Sequence, residues 1–259
     1  MNKLITSIVP ALNEEKNILL TIDNILSAFK EFNLNGEVLI INDGSSDSTA
    51  QLVKEKMKEN PNFIRMVDHN RRKGMGASFW DGVDSAKGEI VVMIPGDNEN
   101  DPREILRYYG LLKHVDIVIP FIFNKEVRSF FRNIISSFYL TIVNITFSTN
   151  FNYTNGTILY RRSILKELDY RAKGFFFQTD ILVRLAKKGY LFAEVPCELG
   201  LREEGVTKAI TFFSIVQIIK EYLRLVIDYY FRITKKVKIQ FSVNSLTAIR
   251  RNKNERINT

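Results

Sequence analysis

Short apolar runs alternate with amphipathic stretches through the first hundred residues, and this alternation most constrains the fold. The apolar runs are rich in Ile, Val and Leu and end in turn residues, which predicts buried strands. The stretches between them repeat large apolar residues at helical spacing. Repeated strand–helix–strand units imply right-handed crossovers and a parallel sheet. The predicted strands are Leu4–Val9, Gly36–Ile41, Ile64–Val67 and Ile90–Ile94.

Polar residues crowd the loops after the first, second and fourth predicted strands. Asn13, Glu14 and Glu15 follow the first strand, and we expect Asn13 to cap the next helix. The second strand runs into N-D-G-S-S-D-S-T at positions 42–49. Ligands of open α/β sheets bind beyond the carboxyl ends of the strands. The pattern predicts a doubly wound nucleotide-binding half, although it contains neither the G-x-G-x-x-G fingerprint nor a P-loop.

Asp97 and Glu99 follow the fourth predicted strand with one residue between them. Carboxylates at this spacing in an extended segment can face the same side. Oxygen ligands of this kind suit a hard divalent cation. A solvated acidic turn is the alternative interpretation.

Composition limits the classes of partner. The 259 residues, 45% of them apolar, suit one sizeable α/β domain or a domain with an appendage. The net charge of +8 predicts an anionic partner such as nucleotide phosphates or a membrane face. The basic residues are not interleaved with aromatic residues on a recognisable nucleic-acid module, so we expect no nucleic-acid partner. The single Cys197 excludes an internal disulfide, and two histidines make a His-based metal site unexpected.

The second half is less regular. It predicts strands at Asp116–Pro120, Gly156–Tyr160 and Tyr190–Val195, and helices at Ser129–Thr149 and Gln178–Lys188. Residues 133–160 contain no charged side chain, so the long helix is interpreted as packed on the sheet or facing lipid. We expect neither a secretory signal nor a membrane-spanning helix.

The segment 209–233 has a narrow polar stripe on an otherwise apolar helix. It predicts an amphipathic helix in a membrane interface, assisted by the basic residues at 232–238. An ordinary docking helix that covers the core is the alternative. The expected organisation is a catalytic or binding domain at 1–208, this helix at 209–240, and a polar tail at 241–259 that is frayed from residue 250.

Three loop sequences together resemble those of the family 2 glycosyltransferases. They are I-V-P-A-L-N-E-E at the first strand end, I-N-D-G-S-S-D-S-T at the second, and the Asp97 turn at the fourth. Over roughly residues 4–208 the chain is most similar to the polyprenyl-phosphate sugar synthases, such as dolichyl-phosphate mannose synthase. The resemblance implies the GT-A fold, a mostly parallel α/β sheet flanked by helices, and a nucleotide-sugar donor.

The resemblance also implies a donor site. Asp43 matches the acid that contacts the base or ribose, although its turn position also fits a capping residue. Asp97 matches the second acid of the family's D-x-D motif, and Glu99 matches a metal-contacting residue. Pro95 replaces the first acid, so the implied Mg²⁺ or Mn²⁺ site lacks one anionic ligand. The other positions that match the nucleotide-binding segments are Pro10, Ala11, Asn13, Glu15, Ser45, Asn70, Lys73 and Gly74.

The acceptor residues follow from the same resemblance. Arg128, Arg132 and Ser136 match contacts to an acceptor phosphate, and their spacing would place them on one helix face. Arg202, Gly205, Thr207 and Lys208 match the R-x-x-G-x-S-K segment, with Thr in place of Ser. Solvated basic residues on a helix are the alternative interpretation of the arginines.

Asp180 lies near the position where sugar-accepting relatives keep a general base, and a helix-terminal charge is its alternative role. A phosphate acceptor is already ionised and needs no base. The resulting hypothesis is an inverting glycosyltransferase at the cytoplasmic face of a membrane, with a polyprenyl phosphate as acceptor. The candidate catalytic residues are Asp97 and Asp180. The alternatives are a transferase that acts on a sugar hydroxyl of a glycan or lipid-linked saccharide, with Asp180 as base, and an inert nucleotide-sugar-binding membrane protein.

Overall fold

The computed structural model describes residues 4–200, 212–232 and 241–257. The strands are β1 (Ile5–Ala11), β2 (Gly36–Asn42), β3 (Ile64–Asp68), β4 (Ile90–Met93), β5 (Ile117–Ile122), β6 (Leu159–Arg161) and β7 (Phe192–Cys197). The helices are α1 (Ile18–Glu31), α2 (Thr49–Glu59), α3 (Met75–Ser85), α4 (Pro102–Leu106), α5 (Phe130–Phe147), α6 (Arg162–Leu165), α7 (Phe177–Lys188), α8 (Phe212–Ile227) and α9 (Leu246–Ile257). A π-helical turn, Asp228–Arg232, continues α8.

The strands form one seven-stranded sheet in the order β3-β2-β1-β4-β6-β5-β7. Only β6 runs antiparallel to its neighbours, β4 and β5, within this sheet. Since β6 reverses direction between them, β4 and β5 point the same way. The carboxyl ends of β1, β2, β4 and β5 therefore lie along one edge.

Alternate residues of the central strands enter two separate cores, one on each face of the sheet. In β1, Ile8 packs with α3 and α7, whereas Ile5 and Val9 pack with α1 on the other face. Both faces of β1 and β2 are fully buried, which is why their sequences are continuously apolar. The α/β fold with a mostly parallel sheet is confirmed, and each of the first four strands ends within two residues of its prediction.

The prediction that Asn13 caps the first helix is wrong. A turn occupies the residues after Asn13, and α1 begins at Ile18. Asn13 adopts φ 56°, and its side-chain oxygen accepts a hydrogen bond from the Ser46 backbone nitrogen at 2.8 Å. A contact across the sheet edge therefore takes the place of a local cap.

The polar stripe of α8 faces the protein. Glu221 accepts a hydrogen bond from the Gly174 backbone nitrogen at 3.0 Å, and Asp228 accepts one from Arg184 at 2.8 Å. The apolar side chains of the opposite face are exposed: Ile219, Leu223, Ile227, Tyr230 and Phe231. The α8 helix thus docks through these polar contacts together with apolar side chains such as Tyr222 and Leu225, and it also presents apolar residues outward.

The carboxyl-terminal segment is also attached to the sheet. The first turn of α9 donates to the buried carboxylate of Asp116, from the nitrogens of Leu246 at 2.7 Å and Thr247 at 3.0 Å. Residues 250–257, expected to fray, are helical. Within the ranges described above, no helix combines the length and apolar character needed to cross a bilayer.

Candidate functional site

The loops that follow β1, β2 and β4 meet at one edge of the sheet. The backbone nitrogen of Asp43 donates to the carbonyl of Ala11 at 2.8 Å, on one side of β1. On the other side, the nitrogen of Gly96 donates to the carbonyl of Pro10 at 3.0 Å. Two strand spacings separate these loops, about 10 Å. Asp43 and the turn that carries Asp97 therefore flank the same strand end.

Reciprocal hydrogen bonds hold the loops after β1 and β2 together. The nitrogen of Asn13 donates to the Ser45 hydroxyl at 3.0 Å, and that of Glu15 donates to Asp47 at 3.1 Å. The Glu15 carboxylate accepts in return from the Ser48 nitrogen at 3.0 Å. These bonds bring together three residues that were predicted to bind the nucleotide-sugar donor: Asn13, Glu15 and Ser45. Pro10 and Ala11, predicted for the same site, are buried in β1 beneath them.

Asp43 holds the loop that follows β3. Its Oδ1 accepts from the Lys73 nitrogen at 2.8 Å, and its Oδ2 accepts from the Gly74 nitrogen at 2.9 Å. Gly74 adopts φ +98°, a conformation that L side chains rarely adopt, and it is the N-cap of α3. Asn70 lies exposed on the same loop. The side chain of Asp43 is almost completely buried by these contacts.

The turn after β4 is shaped by its own polar atoms. Asp97 accepts a hydrogen bond from the Glu99 nitrogen at 3.1 Å, and Asn98 adopts φ 58°. Asn24 of α1 donates to the Asn98 side chain at 2.9 Å, which attaches the turn to the helix. Asp97 and Glu99 are both partly exposed. Their oxygens are of the kind that a divalent cation binds, although no cluster of three or more potential His, Cys, Asp or Glu ligands occurs in the described residues.

The loop after β5 brings two arginines to the same edge. Arg128 lies in extended backbone just before Ser129, the N-cap of α5, so the prediction that a helix face carries it is wrong. Its guanidinium donates to the Tyr153 hydroxyl at 3.1 Å and lies 5.5 Å from that ring's centre. The Arg128 Nε is buried without a hydrogen-bond partner among the described residues. Arg132 is exposed in the first turn of α5, with Ser136 one turn further along.

Asp180 is buried in the first turn of α7 and has no exposed surface. Both of its carboxylate oxygens accept from the Nε of Arg184, at 3.0 and 2.9 Å. Arg184 also reaches Asp228 of the π-helical turn. Burial raises the pKa of Asp180 to about 6, and the bonds from Arg184 oppose this effect. The carboxylate that was predicted as a possible general base therefore pairs within α7 with Arg184, and Arg184 joins α7 to the turn that continues α8.

Some predicted site residues lie outside the described residues, and others were not anticipated. Arg202, Gly205, Thr207 and Lys208 belong to the first group. His69 and Asp81, which contact Asp43 and Lys73, belong to the second. His69 directly follows β3, and this position beyond a strand end was the signal that could have identified it.

The chain is similar to known proteins over much of its length. The family model for glycosyl transferase family 2 matches residues 6–169. The polyprenol monophosphomannose synthase of Mycolicibacterium smegmatis is 28% identical over 216 residues, 78% of this chain and 79% of that protein. The dodecaprenyl-phosphate galacturonate synthase of Rhizobium johnstonii is 27% identical over 165 residues, 62% of this chain. This chain aligns with about half (48%) of the length of the Rhizobium protein.

Solved structures share the fold. Glucosyl-3-phosphoglycerate synthase from M. tuberculosis has a TM-score of 0.62 at 19% identity, covering 86% of this chain and 81% of that one. Its complex with Mn²⁺, UDP-glucose and phosphoglyceric acid has a TM-score of 0.61 at 17% identity, covering 87% and 79%. The family match spans more than half of the chain and includes the strand ends that carry Asp43 and Asp97. The chain therefore belongs to glycosyl transferase family 2 and has the GT-A fold.

Proposed function

We propose that the protein is an inverting glycosyltransferase that moves a sugar from a nucleotide-sugar to a polyprenyl phosphate at a membrane surface. The observation that carries the proposal is the common edge on which the Asp43 loop, the Asp97 turn and Arg128 meet. Relatives named as polyprenol monophosphomannose synthase and dodecaprenyl-phosphate galacturonate synthase support a lipid phosphate as acceptor.

The donor end is formed by Asp43 and the Asp97 turn. A carboxylate such as Asp43 can accept hydrogen bonds from a base edge or a ribose diol. Asp97 and Glu99 would hold Mg²⁺ or Mn²⁺ together with the diphosphate, and the cation would neutralise the charge that develops on the leaving group. A structural neighbour solved with Mn²⁺ and UDP-glucose supports this reading. Pro95 supplies no third carboxylate, so metal binding depends on the bound diphosphate.

The acceptor end is formed by Arg128, Arg132 and Ser136. The buried Nε–H of Arg128 makes no hydrogen bond to the described residues, and an anionic oxygen is the acceptor that a guanidinium N–H favours. An acceptor phosphate oxygen attacks the anomeric carbon, the bond from that carbon to the diphosphate breaks, and the nucleoside diphosphate leaves with inversion. Arg202, Thr207 and Lys208 remain predicted phosphate contacts.

The lipid tail of the acceptor needs an apolar environment, and the exposed apolar side chains of α5 and α8 provide one. The exposed apolar side chains of α5 are Phe130, Phe131, Ile134, Ile135, Phe138, Ile142 and Ile145. The Tyr222 hydroxyl of α8 lies 2.6 Å from the Thr146 hydroxyl of α5, so the two helices that carry these side chains are in contact. Exposed Lys220 adds positive charge beside this surface. We propose that this α5–α8 surface lies in the cytoplasmic face of a bilayer with anionic lipids.

The geometry of Asp180 favours a phosphate over a sugar hydroxyl as acceptor. A hydroxyl would need a base, and Asp180 is buried and paired with Arg184. The alternative transferase therefore requires α7 to move. The second alternative, an inert nucleotide-sugar binder, rests on Pro95 at the position of the missing acid.

Incubation with labelled UDP- and GDP-sugars, Mg²⁺ or Mn²⁺, and vesicles that contain undecaprenyl phosphate tests the proposal. We expect transfer of label to the lipid by the wild type. The variant R128M should lose acceptor-saturable transfer while its affinity for the nucleoside diphosphate changes less than about twofold. Binding without transfer under every condition would support the inert binder, and transfer to a sugar hydroxyl alone would support the alternative enzyme.

Vesicle flotation tests the membrane surface separately. The double variant F131S/F138S should lose most of its binding to anionic vesicles, because two exposed aromatic rings of α5 are removed. The control L20S/F63S removes two comparably exposed apolar side chains from α1 and from the residue before β3. Equal binding by both double variants would refute the α5–α8 surface as the membrane contact.

A further inference from the structure

His69 lies buried between two carboxylates at the donor end of the site. Its Nδ1 is 2.8 Å from Oδ1 of Asp43, and its Nε2 is 2.9 Å from Oδ2 of Asp81 on α3. The first contact is a hydrogen bond. The second is at ion-pair distance without good hydrogen-bond geometry. The imidazole side chain is 2% exposed, so water does not compete at either nitrogen.

The contact with Asp43 defines the direction of the hydrogen bond at Nδ1. An ionised carboxylate only accepts hydrogen bonds, and a neutral imidazole carries one nitrogen lone pair. In the hydrogen bond between Nδ1 and Asp43 the carboxylate can only accept, so Nδ1 carries the proton and donates it.

Asp81, which faces the other ring nitrogen of His69, is attached to the loop that Asp43 holds. Asp81 accepts a hydrogen bond from the Lys73 ammonium at 2.7 Å, and the Lys73 backbone nitrogen donates to Asp43. Partial burial raises the pKa of Asp81, but Lys73 and His69 outweigh that effect and leave it below its ordinary value. Asp43, His69, Asp81 and Lys73 thus form a closed ring of contacts.

We propose that His69 is a positioning residue of the donor site, which fixes the carboxylate of Asp43 in the orientation that receives the nucleoside. In that orientation Oδ1 is fully used by His69 and the Lys73 nitrogen, whereas Oδ2 accepts only the Gly74 nitrogen. A carboxylate oxygen can accept two hydrogen bonds, so Oδ2 keeps one position for a donor from the nucleoside. The inference rests on the proposed function, because it assumes that Asp43 binds the nucleotide.

Three variants and one control separate positioning from general stability. H69F removes both polar contacts, H69N keeps an amide nitrogen near the place of Nδ1, and D81N neutralises the far acid. The control H114F changes the only other histidine, which is exposed. Isothermal titration with UDP and with GDP, each with Mg²⁺, gives the affinity, and thermal melting confirms that each variant is folded.

We expect H69F to weaken binding of the preferred diphosphate by about tenfold or more, the loss that one hydrogen bond to a charged group predicts. H69N should recover most of that loss, D81N should give an intermediate loss, and H114F should bind as the wild type does. A folded H69F that binds within twofold of the wild type overturns the inference and leaves the proposed function intact. A wild type that binds neither diphosphate overturns both.

Nitrogen-15 NMR of histidine-labelled wild type tests the geometry without any variant. We expect one ring, assigned to His69, to carry a proton on Nδ1 that exchanges slowly with water, and its signals to shift when the diphosphate is added. The exposed His114 provides the internal reference and should not shift. An unprotonated Nδ1 in His69 would overturn the inference, because no hydrogen bond could then be donated to Asp43.

Discussion

Replacement of Asp180 by Asn should stabilise the protein at neutral pH. Asp180 has no exposed surface, and its negative charge is balanced mainly by the positive charge of Arg184. Asn has nearly the same shape and keeps one oxygen that can accept from Arg184. Arg184 also keeps its bond to Asp228 at 2.8 Å, so its own charge is not left alone.

The magnitude follows from the titration of Asp180. Burial raises its pKa from 3.8 to about 6, against the opposing bonds from Arg184. At about 1.36 kcal/mol per pKa unit, the difference corresponds to about 3 kcal/mol. Because the folded-state pKa is the higher one, this stability is fully present below about pH 4 and is lost as the pH rises through about 6. At pH 7 the wild type has lost this stability because Asp180 is ionised. The D180N variant keeps it, because an Asn side chain does not ionise.

Urea unfolding of the wild type and D180N between about pH 4 and pH 8 measures the difference. We expect the two proteins to have similar stabilities at the acid end and D180N to be more stable by about 3 kcal/mol at the neutral end. The control D84N removes a half-exposed carboxylate paired with Arg171 and should change stability by less than about 1 kcal/mol. A difference that does not vary with pH, or a D180N that is less stable at pH 7, would refute the reasoning.

If D180N abolishes transfer but still binds the donor, Asp180 acts as the base and the sugar-hydroxyl alternative is correct.

Three further predictions concern other parts of the fold. E37Q should destabilise the protein at pH 7, and this destabilisation should disappear as the pH falls below about 4.5. The reason is that burial raises the pKa of Glu37, but the hydrogen bonds to its carboxylate outweigh burial and hold that pKa below 4.5. A pH series of unfolding curves measures the change. Burial also raises the pKa of Cys197 to about 12, so a thiol reagent at pH 8 should label the native protein far more slowly than the urea-unfolded chain, and equal rates would contradict the buried position. G76A should cost about 1–3 kcal/mol in chemical unfolding, because an added Cβ would lie 2.6 Å from the Lys173 backbone carbon, whereas G110A, with nothing within 4 Å, should not show this loss.

Local sequence pattern predicted the sheet well because the pattern and the tertiary environment agree there. The continuous apolar runs of β1 and β2 are buried on both faces, and the polar loops after them share the edge that parallel topology requires. Asp43 and the Asp97 turn could therefore be placed together before any contact was known. The prediction rested on strand direction, which the strand–helix alternation determines.

Contacts between distant residues were beyond the reach of the same reasoning. Asn13 has the residue type of a helix cap, but its side chain bonds to Ser46, 33 positions away. The order of α9 depends on Asp116, 130 positions from Leu246, so the segment alone looked like a frayed tail. The polar stripe of α8 was visible, but periodicity cannot tell which face of a helix meets the protein.

The inward stripe of α8 affects where the chain can be divided. The boundary predicted at residue 208 separates Arg184 from Asp228 and the Gly174 nitrogen from Glu221. A protein that ended there would expose the apolar residues of α5 and α7 beneath α8 and would leave Arg184 without its bond to Asp228. Shortened forms made for crystallisation should therefore retain the carboxyl-terminal helices, since the transferase half relies on them to complete its own interior.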